Sequence, residues 1–248
     1  MSTVARVDRM EAEALRLNHN IALLDDLVDI VQERFTGPDR RRIAKAILLR
    51  GPGTQLLLYR GPNDELLGFS AYVVERHEVD GRVYGVMDNG TYIKPHVRGV
   101  GPRAVAYCLK DTLTFKLRNP RATLCFVGPA VSPAMYRLVH RYGASIHPRP
   151  GAAIPEPITT LVRQVMTKRG YWFVDDDPWR VQLRFPVRLR DEDRMRRFIE
   201  RSKDPAVSFF VERNPGFFEG QWMVVYAPLG LGDLLRSTGS MIQATLRS

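Results

Sequence analysis

The chain has 248 residues, 44% of them apolar, and a formal net charge of +10 at pH 7. That suffices for one large domain or two small ones with a substantial core, and it argues against a disordered chain or a disulfide scaffold. No stretch approaches the roughly 18 unbroken apolar residues of a membrane span, and MSTVARVDRMEAEALRLNHN lacks the apolar region of a secretory signal, so a cytoplasmic location is expected. Cys108 and Cys125 sit in apolar surroundings without metal-ligand spacing and read as reduced core residues. The basic charge points to an anionic partner: coenzyme phosphates, an acidic carrier protein or nucleic acid.

In chain order, no first strand is evident near the N-terminus. Asn20 to Phe35 carries Ile21, Leu24, Leu27, Val28 and Val31 on one helical face. A second helix is predicted after Pro38, with Asp39 at its positive end and Ile43, Ala46 and Ile47 facing inward. The period then changes. QLLLYR (55–60) and LLGFSAYVVERHEV (66–79) read as strands, and Asp80-Gly81 supplies a hairpin turn leading back into RVYGVMDNGTYI (82–93). After a short junction, 104–117 reads as a helix and 122–128 as a buried strand. SPAMYRLVHRYGA follows as a helix capped by Ser132, with Pro133 at its first position and Gly143 at its end. Strand, helix, strand in that order implies a parallel crossover inside an otherwise antiparallel sheet.

The proline-rich stretch 147–157 suggests a division into residues 1–147 and an extension over 148–248. The extension reads as a helix over 158–168, strands in YWFV and WRVQLRFPVRL, a charged helix capped by Asp191, strand-like VSFFVER and WMVVYAPL, and a partly helical tail. It is short for an independent core, so it is expected to complete the sheet or wall an acceptor site. Its aromatics Phe209, Phe210, Phe217, Phe218 and Trp222 have apolar neighbours and read as core, which argues against a nucleic-acid partner. Asp175, Asp176 and Asp177 read as a solvated turn, because consecutive carboxylates cannot all face one ion; no metal is expected.

The junction TYIKPHVRGVGPRA (91–104) carries the functional signal. Glycines permit close approach, the first helical turn leaves amides unpaired under the positive end of the dipole, and Arg98 adds fixed charge: an anion site suited to a pyrophosphate. The motif and its setting resemble the GNAT superfamily of acyl-CoA-dependent N-acyltransferases over roughly residues 55–146. Tyr92, Ile93, Lys94 and Pro95 match that family's strand end, and Arg98, Gly99, Val100 and Gly101 match its pyrophosphate loop. Arg103 stands where the family carries glycine or alanine, followed by Ala104, and its side chain could itself reach a phosphate.

The resemblance implies an α/β (α+β) fold with a mixed, mostly antiparallel central sheet flanked by helices, here with a C-terminal α/β extension. It implies acetyl-CoA or another acyl-CoA as co-substrate and an amine acceptor, either a small molecule or a protein. An acidic acyl carrier protein is the alternative donor. It also implies that backbone N–H groups around Tyr92 and Ile93 polarise the thioester carbonyl. Candidate bases for the amine proton are Asp88 and Glu75, each otherwise a solvated strand carboxylate; His77 and His96 read as surface residues. The tyrosine that protonates the departing thiolate in the family aligns with Val139, which leaves Tyr136 and Tyr142, three residues to either side, as candidate acids. The competing reading is a degenerate fold of this type that binds without chemistry.

Overall fold

A computed structural model of the chain describes residues 2–17, 20–37, 39–48, 50–98, 101–143, 145–184 and 187–230. These divide into two compact units. One joins the chain up to Glu75 with Met87–Arg118; the other joins Arg76–Val86 with Asn119 onward. The division falls elsewhere than at residue 147, because the strand after Asn119 pairs with one from the far end of the chain.

The first unit begins with β1 (Arg6–Glu11), α1 (Ala12–Leu17), α2 (Ile21–Gln32) and α3 (Arg40–Leu48). The next strands are β2 (Gln55–Arg60), β3 (Leu66–Val79) and β4 (Arg82–Ile93), followed by α4 (Gly101–Arg118). β1 pairs antiparallel with β2 along its whole length, Arg6 opposite Arg60 and Glu11 opposite Gln55. The sequence hides it because four of its six residues are charged and only partial burial is asked of them, as at a sheet edge. Asn20 caps α2 by accepting from the Leu23 amide, and Leu27, Val28, Ile30 and Val31 are buried. Ile21, expected on that face, is 66% exposed because it opens the helix before the packed stripe begins. Asp39 accepts from the Arg42 amide at the start of α3, and Ile43 is buried; the side chains of Ala46 and Ile47 lie outside the described set. Two cores form in this unit. One gathers α1, α2 and α3 residues with Leu56, Leu58, Phe69 and Ala71; the other joins Leu57, Tyr59, Leu67 and Tyr72 with Cys108 of α4.

β3 and β4 have the predicted bounds, since Asp80 and Gly81 adopt φ of 50° and 72° and so fix where the chain reverses. The second unit continues with β5 (Thr123–Ala130), α5 (Pro133–Tyr142), α6 (Glu156–Lys168), β6 (Trp172–Val174), β7 (Asp177–Gln182), α7 (Glu192–Arg201), α8 (Pro205–Arg213) and β8 (Gln221–Pro228). Hydrogen bonds link eight strands in the order β1-β2-β3-β4-β5-β8-β7-β6. β8 runs antiparallel to both β5 and β7. This is the mixed, mostly antiparallel sheet with flanking helices that the sequence implies.

Two expectations for the extension are corrected. VSFFVER is helical: Asp204 accepts from the Ala206 amide, Pro205 occupies the first position, and Ala206, Val207 and Phe210 turn inward together. The cap outweighs the strand preference of its aromatic and β-branched residues. WRVQLRFPVRL forms only part of β7 and a two-residue strand at Arg188–Leu189; Phe185 and Pro186 lie outside the described residues. The aromatic residues Phe210 and Phe217 are core, as predicted, and pack with Tyr136, Met223 and Val225. The tail from residue 231 is likewise outside the described residues.

Candidate active site

β3 and β4 place Glu75 and Asp88 inside the protein. Their residues are 8% and 5% exposed, so the solvated-carboxylate alternative fails for both. Two buried carboxylates in a sheet need compensation, because transferring charge out of water costs several kcal/mol per ion. Part of it comes from the turn after α3: Arg50 Nη1 lies 2.9 Å from Asp88 Oδ2, with side chains 15% and 7% exposed.

Three glycines make the approach possible. A Cβ on Gly90 would collide with the Arg50 guanidinium and stand 3.3 Å from the Tyr92 ring, so glycine in β4 opens the lane through which Arg50 reaches Asp88. Gly51 has φ of +155°, and a Cβ there would lie 2.6 Å from Glu75 Oε1. The Arg50-Gly51 turn is thus fitted against both carboxylates. Gly68 in β3 performs the same service at the strand end, where a Cβ would meet the Tyr92 carbonyl oxygen at 2.6 Å.

The end of β4 is firmly held. Tyr92 stacks on Phe69 at 5.0 Å between ring centroids and meets Phe35 edge-on at 6.3 Å. The Ile93 carbonyl accepts from Arg34 Nε at 3.0 Å, and the Lys94 amide donates to the Leu67 carbonyl at 3.0 Å. A hydroxyl chain crosses β2, β3 and β4, with Tyr59 and Ser70 2.5 Å apart and Ser70 and Thr91 2.6 Å apart. Burial pushes the Tyr59 phenol up to about 12, so it stays protonated at neutral pH. Beyond Ile93, the backbone of Val97 and Arg98 pairs in parallel with Ser2 and Thr3. Gly99 and Val100 lie outside the described residues, as do the side chains of Arg98, Arg103 and Ala104.

The remaining candidates are dispersed. Tyr136 is fully buried in the second unit, and its hydroxyl donates to the Pro148 carbonyl at 2.8 Å. Desolvation raises its pKa. The side chain of Tyr142 lies outside the described set. His77, expected at the surface, is 6% exposed because it continues the buried row of β3; His96 is exposed. Burial pushes the thiols of Cys108 and Cys125 up to about 12, which removes them as nucleophiles. Asp175 and Asp176 form the β6–β7 turn with φ of 51° and 54°, tied to Arg180 and Arg163, while Asp177 opens β7 and pairs with Arg180 and Arg213. Among the described residues no group of three or more His, Cys, Asp and Glu could hold a metal ion, and no helix is long and apolar enough to cross a membrane.

Sequence reasoning reached Glu75 and Asp88 but missed Arg50. The only local signal was RGPGT (50–54), a glycine-rich turn that gives no sign of which way its arginine points.

Among solved structures, N-acyltransferases overlap part of this chain. A conserved Enterococcus faecalis protein assigned as a probable N-acyltransferase is 17% identical over 56% of this chain and 31% of its own, with a TM-score of 0.35. The chain therefore spans about a third of that protein's length. A ribosomal-protein-alanine N-acetyltransferase from Brucella melitensis is 19% identical over 61% of this chain and 99% of its own, also with a TM-score of 0.35. An integron cassette protein from the mobile metagenome of V. cholerae is 12% identical over 64% and 97%, with a TM-score of 0.37. Overlaps this loose carry no argument about chemistry. No protein-family model and no curated protein matches the chain.

Proposed function

We propose that the chain is an N-acyltransferase that moves an acyl group, acetyl or longer, from acyl-CoA to a small-molecule or protein amine. The observation that supports this reading most is the buried pair Glu75 and Asp88, gathered around the Arg50-Gly51 turn on strands that lead to the Tyr92-Ile93 end. A carboxylate shielded from water is costly to keep, and proton transfer is a task that repays it.

In this reading the amine lone pair attacks the thioester carbonyl carbon, forming the C–N bond as the C–S bond breaks and the thiolate departs. Glu75 or Asp88 takes the amine proton, directly or through one water. Backbone N–H groups around Tyr92 and Ile93 polarise the carbonyl. Water or Tyr142 gives the departing thiolate its proton, since the Tyr136 hydroxyl donates to the Pro148 carbonyl, and the proton held by the carboxylate restores that donor. Arg98 and Arg103, with the amides of Gly99, Val100, Gly101 and Ala104, take the pyrophosphate. An acidic acyl carrier protein is the other donor compatible with the net charge of +10.

Acetyl-CoA and longer acyl-CoAs should raise the melting temperature, by about 2.7 kcal/mol of linkage at a hundred times Kd. Arg98→Glu combined with Gly101→Trp should abolish the shift. Glu75→Gln and Asp88→Asn, compared by pH–rate profile, identify the base as the one whose loss removes the acidic limb. No shift with any acyl-CoA overturns the reading. The buried Tyr136 hydroxyl favours a second reading, binding without turnover, which predicts the shift but no release of free thiol from acyl-CoA.

A further inference from the structure

α7 shows an arrangement that the reaction does not use. Its sequence EDRMRRFIER buries no residue completely. Met195 and Ile199 turn toward the core that holds Phe210 and Met223, and Phe198 lies under the Arg137 guanidinium at 5.3 Å. Arg196 is also spoken for, pairing with Glu192 at 3.7 Å and covering the Phe218 ring at 4.2 Å.

Arg194, Arg197 and Arg201 are different. All three are exposed, and none makes an ion pair among the described residues. At 100° per residue they fall within about 60° of one another, separated along the axis by about 4.5 Å and about 6 Å. Like charges three and four residues apart repel by a few tenths of a kcal/mol per pair, offset at Arg197 by Asp193 four residues before it and Glu200 three after. Exposed Asp193 and Glu200 border it on one side, and Phe198 with the Arg137 guanidinium over it borders the other.

We propose that this arginine face of α7 docks an acidic helix of a partner protein. A helix bearing carboxylates at i, i+3 or i+4, and i+7 repeats the same axial spacing, and each guanidinium fork donates two hydrogen bonds to a carboxylate. The acidic border favours such a partner over a nucleic acid, whose phosphates would meet Asp193 and Glu200. The surface stands independently of the acyl-transfer reading, since no residue of that site belongs to it.

The test uses the full chain and three fluorescent probes: a synthetic helix with glutamates at i, i+4 and i+7, a permutation of the same composition, and a single-stranded oligodeoxythymidylate. The patterned helix should bind at least fivefold tighter than either of the others and weaken with salt. Arg194→Gln/Arg197→Gln/Arg201→Gln should lose at least tenfold in affinity while its circular-dichroism melt stays at the wild-type temperature; Arg194→Glu/Arg197→Glu/Arg201→Glu should lose more. Equal binding of the permuted peptide, tighter binding of the oligonucleotide, or affinity unchanged in both variants would each overturn the proposal.

Discussion

Asp88 and Arg50 make the clearest case at the scale of single residues. With both side chains withdrawn from water and 2.9 Å apart, each compensates part of the other's burial. Asp88→Asn leaves a buried guanidinium short of its counter-charge and should cost about 3 kcal/mol, a fall of roughly 6–12 °C in melting temperature. The double change Arg50→Met/Asp88→Leu should recover part of that loss, because an apolar pair of similar volume needs no compensation, and the shortfall measures the other interactions of the two residues. Calorimetry on the three proteins checks both expectations, and recovered stability without recovered turnover would separate the structural duty of Asp88 from a catalytic one. The two carboxylates were legible as ionisable residues on the strands of the meander, whereas their burial was not. Arg50 was not legible, because its partner comes from a distant strand and the lane it uses is written as an unremarkable glycine at position 90.

At the scale of elements, what could be read depended on whether the deciding force was local. The β3–β4 hairpin was readable to the residue, since Asp80-Gly81 accepts positive φ and the flanking strands are rich in β-formers. β1 was not, for its reason to be extended lies in β2, which pairs with all six of its residues. α8 was misread because composition was weighed above the Asp204-Pro205 cap. That cap gives a direct measurement: Asp204→Ala should remove the acceptor for the Ala206 amide and cost about 1 kcal/mol in urea unfolding, whereas Asp204→Ser should cost only a few tenths. The pyrophosphate loop rests on its sequence motif, since Gly99 and Val100 lie outside the described residues.

At the scale of the whole molecule, two of the described groups tie stability to acidity. Burial, with Arg149 adding, holds the His147 imidazole below its ordinary 6.5. The unfolded chain therefore takes up a proton that the folded chain refuses, and stability falls as pH drops through about 6.5. Arg6 and Arg60 hold Asp8 below 3.8, so its smaller, solvent-screened contribution persists above that value and is lost on further acidification. The urea midpoint should be lower at about pH 5.5 than at about pH 7.5, and His147→Gln should shrink the difference. An unchanged difference in the variant would remove His147 as the cause.

The division of the chain at Glu75, Val86 and Arg118 also bears on ancestry. Arg76–Val86 belongs with the part that starts at Asn119, so neither compact unit corresponds to one uninterrupted stretch of coding sequence. A gene fission or exon shuffle at any single point would leave one product carrying the other's strands. Each unit is whole only when both flanks of residues 76–86 lie in the same polypeptide.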